Sequence, residues 1–207
     1  MQLKLNKIYN IDCLDGLRQL NNNSVDIFCF SPPYNLRNNN GKTRNLSRGG
    51  KWDNYKLATG YSGHNDSMPH KEYVDWQKTI LLECFRCLKD TGAIFYNHKP
   101  LIRNGLAILP TEYNPNLPLR QIIIWERSGG INFNDSFYLP TCEWILLICK
   151  PQFKLKSQGA AGIKDIWKIR QDIGNEHPAP FPVELPSKIL ETVKYKDLVV
   201  DPFIGSG

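Results

Sequence analysis

Short apolar runs recur along this chain, separated by stretches whose apolar positions fall at helical spacing. Five runs read as buried strands: VDIFCF (25–30), GAIFYN (92–97), RQIIIW (120–125), EWILLICK (143–150) and DLVVDPF (197–203). They are short and rich in Ile, Val and Phe, as strands covered on both faces of a sheet are. KIYNID (7–12) is a sixth, more weakly apolar candidate. CLDGLRQL (13–20) sets Leu14, Leu17 and Leu20 on one helix face. PHKEYVDWQKTILLECFRCLK (69–89) is the longest helical pattern. VELPSKILETVK (183–194) groups Leu185, Ile189, Leu190 and Val193, with Pro186 tolerated near the first turn. Strand and helix in alternation predict an α/β layered sheet. RQIIIW and EWILLICK have no helix between them, so that pair is expected to be antiparallel. Two segments, 36–68 and 150–165, read as loops of a length that is usually functional or mobile.

A chain of 207 residues suffices for one domain with a sizeable core. Its 41% hydrophobic and 22% charged residues place it with folded rather than disordered chains. No apolar run reaches bilayer length, and MQLKLNKIYNID lacks the apolar core of a secretory signal. Cysteines 13, 29, 84, 87, 142 and 149 lie mostly inside apolar runs, the pattern of reduced cysteines in a cytoplasmic protein. Cys84 and Cys87 form a CxxC, but they sit on the apolar face of the longest helical pattern. No second Cys/His pair stands at a zinc spacing, so no metal site is expected. The net charge of +6 favours a polyanionic partner without establishing one.

The candidate chemistry begins at FCFSPPYNL (28–36), where an apolar run stops at Ser31 and two prolines follow. Ligands of open α/β sheets bind at the carboxyl ends of the strands. The prolines fix two φ angles and leave the carbonyls of Ser31 and Pro32 without competing local partners. Tyr34 adds a flat face. Acceptors beside a ring suit a planar ligand carrying an amino group; a proline pair also simply ends a strand, and these four residues alone do not decide between the two. At the other end, DLVVDPFIGSG (197–207) runs from a strand into an acid and a Gly-Ser-Gly turn. Glycines there let a ligand approach the backbone, and the lysine of a P-loop is missing.

Taken together, SPPYN and DPFIGSG resemble the two signatures of the DNA amino-methyltransferases that use S-adenosylmethionine. The first is similar to their catalytic [D/N/S]-P-P-[Y/F/W], the second to their cofactor-holding D-P-F-x-G-S-G. EYVDWQKTIL and LKDTGAIFYN resemble the helix and strand after the catalytic motif. HPAPFPVELPSKIL (177–190) resembles the segment before the glycine turn. YNIDCLDGL (9–17) resembles G-D-x-x-x-x-L, with Ile11 where the family has Gly. The catalytic motif precedes the cofactor motif, which is the permuted β-type order and argues against the protein-glutamine methyltransferases, whose glycine motif comes first. The resemblance covers nearly the whole chain.

It implies a Rossmann-like methyltransferase fold: a mostly parallel sheet with an antiparallel strand pair and helices on both faces. It implies methyl transfer from S-adenosylmethionine to the exocyclic amine of a flipped base in double-stranded DNA. Ser31, Pro32, Pro33 and Tyr34 are then catalytic. The Ser31 hydroxyl and Pro32 carbonyl accept from the amine, Tyr34 stacks on the base, and Asn35 either shapes the turn or touches the base. Asp201, Phe203, Gly205, Ser206 and Gly207 line the methionine and ribose side of the cofactor. Asp12 accepts from the adenine amino group, Cys13 offers its backbone N–H, and His177 and Pro178 lie beside the methionine carboxylate. Ser in the first motif position goes more often with cytosine and Asp with adenine, so N4 of cytosine is favoured and N6 of adenine is the alternative. A non-catalytic nucleic-acid-binding module and an RNA substrate are further alternatives. For DNA, Lys42, Arg44, Arg48 and Lys51 suit phosphates, and Trp52 or Tyr61 suits stacking or wedging, unless the 36–68 loop is only solvated. Segment 128–140 is a second candidate. Among the histidines, His98 lies near the expected cleft, and His64 and His70 are expected in solvent. A homodimer and a cognate restriction endonuclease stay open. Family members continue past the glycine turn, so residues 1–207 are expected to form a single catalytic domain truncated at its C-terminal end, with a missing strand between DLVVDPF and KIYNID.

Overall fold

The computed structural model describes residues 4–36, 66–128, 132, 135–171 and 182–205. In chain order the first elements are α1 (Cys13–Arg18), β1 (Val25–Phe30), α2 (His70–Cys87), β2 (Leu88–His98), β3 (Leu101–Arg103) and β4 (Leu106–Ile108). After a 3-10 turn (Pro110–Tyr113) come β5 (Leu119–Glu126), β6 (Cys142–Cys149), α3 (Gln158–Ala161), β7 (Ile166–Lys168), α4 (Glu184–Thr192) and β8 (Val199–Val200). Six strands form one sheet in the order β7-β5-β6-β2-β1-β8, and β3 and β4 form a separate hairpin. β1 pairs in parallel with β2 and β8, and β5 in parallel with β7. β6 runs antiparallel to both β2 and β5, with Ile123 opposite Ile145. The expected antiparallel pair is therefore present.

The sheet is covered on both faces, as its continuous apolar strands require. All six residues of β1 are buried. Phe28 and Phe30 point into a core with Tyr73, Ile80, Leu81 and Cys84 of α2, and Leu17 of α1 joins them. Ile27 and Cys29 point the other way, into a core with Phe95, Ile145, Leu185 and Ile189. Cys84 and Cys87 are both buried in the packed face of α2. α2 passes into β2 without a loop, so that strand begins four residues earlier than its apolar run suggested.

Asp26 ties three strands together at the amino end of β1. It is buried, and its Oδ2 accepts from Lys89 Nζ and from the Leu198 N–H, each at 2.9 Å. That bond and the ladder between β1 and β8 set the 201–205 turn beside the 31–34 turn.

Two expectations are corrected. KIYNID is not a strand: residues 7–12 carry no regular structure, and Ile8 and Ile11 are exposed. A strand needs a ladder for its N–H and C=O groups, and β8 is two residues long and pairs only with β1 among the described residues. Segment 150–165 is not a plain loop. Phe153 enters the core, α3 starts at a Ser157 cap whose hydroxyl accepts from the Ala160 N–H at 3.1 Å, and Leu155 bridges to Val193.

Candidate active site

The SPPY turn lies at the carboxyl end of β1, and Asp201 follows β8 on the neighbouring parallel strand. The two motifs, far apart in sequence, thus leave the same edge of the sheet. The turn is held from several sides. Tyr73 of α2 donates to the Pro33 carbonyl at 2.6 Å, receives a bond from Gln77 Nε2 at 2.8 Å, and lies 2.8 Å from His98 Nε2. Asn35 is buried with φ +55°, a left-handed conformation that asparagine tolerates. Its Nδ2 donates to the Met68 carbonyl at 2.9 Å, and the Leu36 N–H donates to Asp66 at 3.0 Å. Asn35 therefore shapes the turn, and the chain leaves and re-enters the described region at this point.

Tyr34 is 9% exposed. Its ring lies against His98 with centroids 4.3 Å apart. Its hydroxyl is 2.7 Å from Ser31 Oγ and donates to Glu143 Oε2 at 2.8 Å. Asn97 Nδ2 faces the same group, 2.8 Å from Tyr34 Oη, 2.8 Å from Glu143 Oε2 and 3.4 Å from Ser31 Oγ. Arg127 pairs with the other carboxylate oxygen of Glu143 at 3.2 Å. The antiparallel course of β6 explains this convergence: its first residues meet the last of β2, with Asn97 opposite Ile145 and His98 opposite Trp144. Asn97 Oδ1 is buried with no hydrogen-bond partner among the described residues. Burial drives the His98 pKa down to about 3, and its Nδ1 lies 2.8 Å from the Lys99 carbonyl. Burial also lowers the Lys99 ammonium, with Arg127 adding to the effect.

On the β8 side, burial pushes the Asp201 carboxyl up to about 6, against one bond from the Phe203 N–H at 2.7 Å. Phe203 packs against Phe30 and Trp76, and Gly205 takes φ +61°, open to glycine at no steric cost. Asp12 caps α1, its Oδ1 accepting from Leu14 N at 2.9 Å and Asp15 N at 3.2 Å. Burial, then the Asp12 charge, raises the Cys13 thiol to about 12. Burial holds the Cys84 thiol of α2 well above its ordinary range, and Cys13 and Phe203 both pack against the core that contains it.

Ser31, Pro32, Pro33 and Tyr34 thus leave the sheet beside Asp201, Phe203 and Gly205, while Asp12 and Cys13 open α1, which packs on α2 through the bond from Arg86 to the Leu17 carbonyl. Lys42, Arg44, Arg48, Lys51, Trp52, Tyr61, His64, His177, Pro178, Ser206 and Gly207 lie outside the described residues. Of the second loop candidate, Tyr138 is exposed. His70 is only part-exposed and lies 2.9 Å from Glu112. Glu143, Asn97 and Arg127 are site residues that the motifs do not name. Their signal is a polar side chain at the end of an otherwise apolar run. A separate open cavity of about 370 Å³, lined by residues including Arg120, Phe153 and Ser157, lies at the opposite edge of the sheet, where β5 begins.

The family described as DNA methylase matches residues 25–207. Type II methyltransferase M.BglII of Bacillus subtilis is 28% identical, over 98% of this chain and 61% of its own length. Type II methyltransferase M2.MboI of Moraxella bovis is 26% identical, over 97% of this chain and 76% of its own. The chain thus spans 61% of the length of M.BglII and 60% of M.HinfI of Haemophilus influenzae. Among solved structures, the cytosine-N4-specific PvuII DNA methyltransferase aligns with a TM-score of 0.66 at 16% identity, over 93% of this chain and 72% of that one. TTHA0409 of Thermus thermophilus, in complex with S-adenosyl-L-methionine, aligns with a TM-score of 0.56 at 19% identity, over 93% and 77% of the two chains. These likenesses establish the Rossmann-like α/β fold.

Proposed function

The chain belongs to this DNA methylase family, and from that premise we propose that it transfers the methyl group of S-adenosylmethionine to the exocyclic amine of a flipped base in DNA, with N4 of cytosine preferred over N6 of adenine. The observation that carries the reading is the convergence of the SPPY turn and the Asp201 turn on the carboxyl ends of two adjacent parallel strands. One motif offers acceptors to an amine and the other a carboxyl to a cation, side by side.

The residues present fit the cofactor. Bound S-adenosylmethionine supplies a sulfonium methyl group, and it also carries an ammonium. A half-buried carboxyl raised to about 6, with a single hydrogen bond among the described residues, gains from a cation beside it. Asp201 and Gly205 would hold the methionine and ribose side, and Asp12 and Cys13 the adenine. Ser31 Oγ and the Pro32 carbonyl would accept from the target amine and draw its lone pair out of conjugation, an effect of position and preorganised dipoles. Tyr34, backed by His98, would stack on the base, which repays about 1–3 kcal/mol of the cost of flipping. The basic residues between 36 and 68 would contact phosphates, since that segment starts and ends at the catalytic turn. The preference for cytosine rests on Ser31 in the first motif position.

The test is incubation with unmethylated DNA and S-adenosylmethionine tritiated in the methyl group, followed by digestion and identification of the labelled nucleoside. N4-methylcytosine is expected. N6-methyladenine would move the reading to the adenine branch, and label in neither base would overturn it.

A further inference from the structure

Glu143 belongs to neither motif, yet it closes the hydrogen-bond chain that starts at Ser31. We infer that Glu143 sets Ser31 as a pure acceptor and receives, through Tyr34, the proton that the methylated amine must lose; the inference rests on the methyl-transfer reading above. Each proton in this chain has a defined acceptor. An ionised carboxylate only accepts, and Arg127, 3.2 Å from Oε1, supplies its counter-charge. Tyr34 therefore spends its one proton on Oε2, 2.8 Å away. Its oxygen must then accept at 2.7 Å from Ser31, so the Ser31 proton is committed as well. What Ser31 Oγ can offer the cleft is lone pairs alone. The Asn97 amide is oriented by the same carboxylate: its NH₂ faces Glu143 Oε2 and Tyr34 Oη, each at 2.8 Å. A buried network of this kind is worth most when every donor has one direction.

The proton balance follows the same wire. Methyl transfer would leave the amine cationic with one proton too many, the C–S electron pair staying with the thioether product. That proton passes to Ser31 Oγ as the Ser31 proton moves to Tyr34 Oη and the Tyr34 proton moves to Glu143 Oε2. The carboxylate ends as a carboxylic acid, one positive and one negative charge having cancelled. Arg127 stays as it was. Glu143 touches neither substrate nor cofactor and is a positioning residue and proton sink. Tyr34 has a second role beyond stacking.

The test compares Glu143→Gln, Glu143→Asp, Tyr34→Phe and the Glu143→Gln/Tyr34→Phe double variant in single-turnover methyl transfer. S-adenosylmethionine affinity and thermal unfolding are measured alongside, and Glu126→Gln, at a part-exposed position paired with Lys168, serves as a control. In Glu143→Gln an amide N–H donates to Tyr34, whose proton turns toward Ser31, and Ser31 points a proton at the amine. The rate is expected to fall about 100-fold, in the range of general acid–base contributions, with cofactor affinity within about 3-fold. Tyr34→Phe keeps the ring and cuts the wire, so a similar fall is expected. The double variant should be no slower than the slower single variant. Glu143→Asp keeps the acceptor and should recover at least about 10-fold over Gln. A Gln variant within about 3-fold of wild type, multiplicative losses in the double variant, or equal rates for Asp and Gln would each overturn the inference. If Glu143→Gln fails to fold, Tyr34→Phe alone decides, and a rate near wild type overturns it. Absence of transfer by wild type would instead fell the methyl-transfer reading and take the inference with it.

Discussion

His98 and Asp201 are shifted in opposite directions by the same cause, burial, and so they pull stability opposite ways with pH. His98 is held neutral, its pKa lowered from 6.5 to about 3. The unfolded chain binds the proton and the fold does not, so its contribution is complete above about 6.5 and is lost as pH falls toward 3. Unfolding free energy measured by denaturant at pH 7 and pH 4.5 should fall less for His98→Gln than for wild type; equal falls would contradict the assignment. Asp201, raised from 3.8 to about 6, binds its proton more tightly in the fold, so stability falls as pH rises through that window. Asp201→Asn keeps the acceptor for the Phe203 N–H and removes the charge. It should be more stable than wild type above pH 6, converge with it near pH 4, and bind S-adenosylmethionine more weakly at pH 7. A variant no more stable and no weaker in binding would sink both halves of that account. Ser31, Tyr34 and Asp201 were legible because each sits in a short motif next to prolines or glycines. Glu143, Asn97 and Arg127 were not, because each comes from a different strand end and only the antiparallel register of β6 gathers them.

At the level of elements, α2 and β2 hold the SPPY turn, and each has a weak point. Tyr73 reaches from α2 to the Pro33 carbonyl, His98 and Gln77. Tyr73→Phe should cost about 1–3 kcal/mol for the buried groups it orphans. It should also lower kcat while leaving the protein folded at assay temperature; an unchanged kcat would mean that the turn needs no support from the helix. Gly92 lies where β2 passes Asp26. A Cβ there would be 2.9 Å from the Asp26 carbonyl oxygen and from Leu88 Cδ2, and 3.0 Å from the Lys89 carbonyl oxygen. Two of those three are backbone and cannot swing away, so Gly92→Ala should cost about 1–3 kcal/mol in denaturant unfolding. The long apolar strands and the three main helices were readable from period alone. The β3–β4 hairpin was missed although its turn is Asn104-Gly105, both at positive φ, a pair whose meaning is local and independent of hydrophobic period. β7, three residues long, carries too little pattern to be read. KIYNID had only a weakly apolar run and no ladder to join.

At the scale of the whole molecule, sheet topology turns two distant motifs into one site. The right-hand edge of the sheet, β2-β1-β8, is parallel and delivers Asn97, Ser31 and Asp201 to the same end. The left-hand strands include β6, which returns antiparallel and adds Glu143. Asp26 fixes the amino end of that arrangement, away from the two turns. In the proposed function, this end of the sheet methylates an amino group of DNA through Ser31. The most direct measurement is nucleoside mass spectrometry on DNA from cells that lack their own DNA methylation and express either the wild-type chain or Ser31→Ala at equal soluble levels. The account predicts N4-methylcytosine with the wild type, and at least about a 100-fold reduction with Ser31→Ala, as for loss of one preorganised polar contact. No methylated amino base with the wild type, or equal amounts with both, would contradict it.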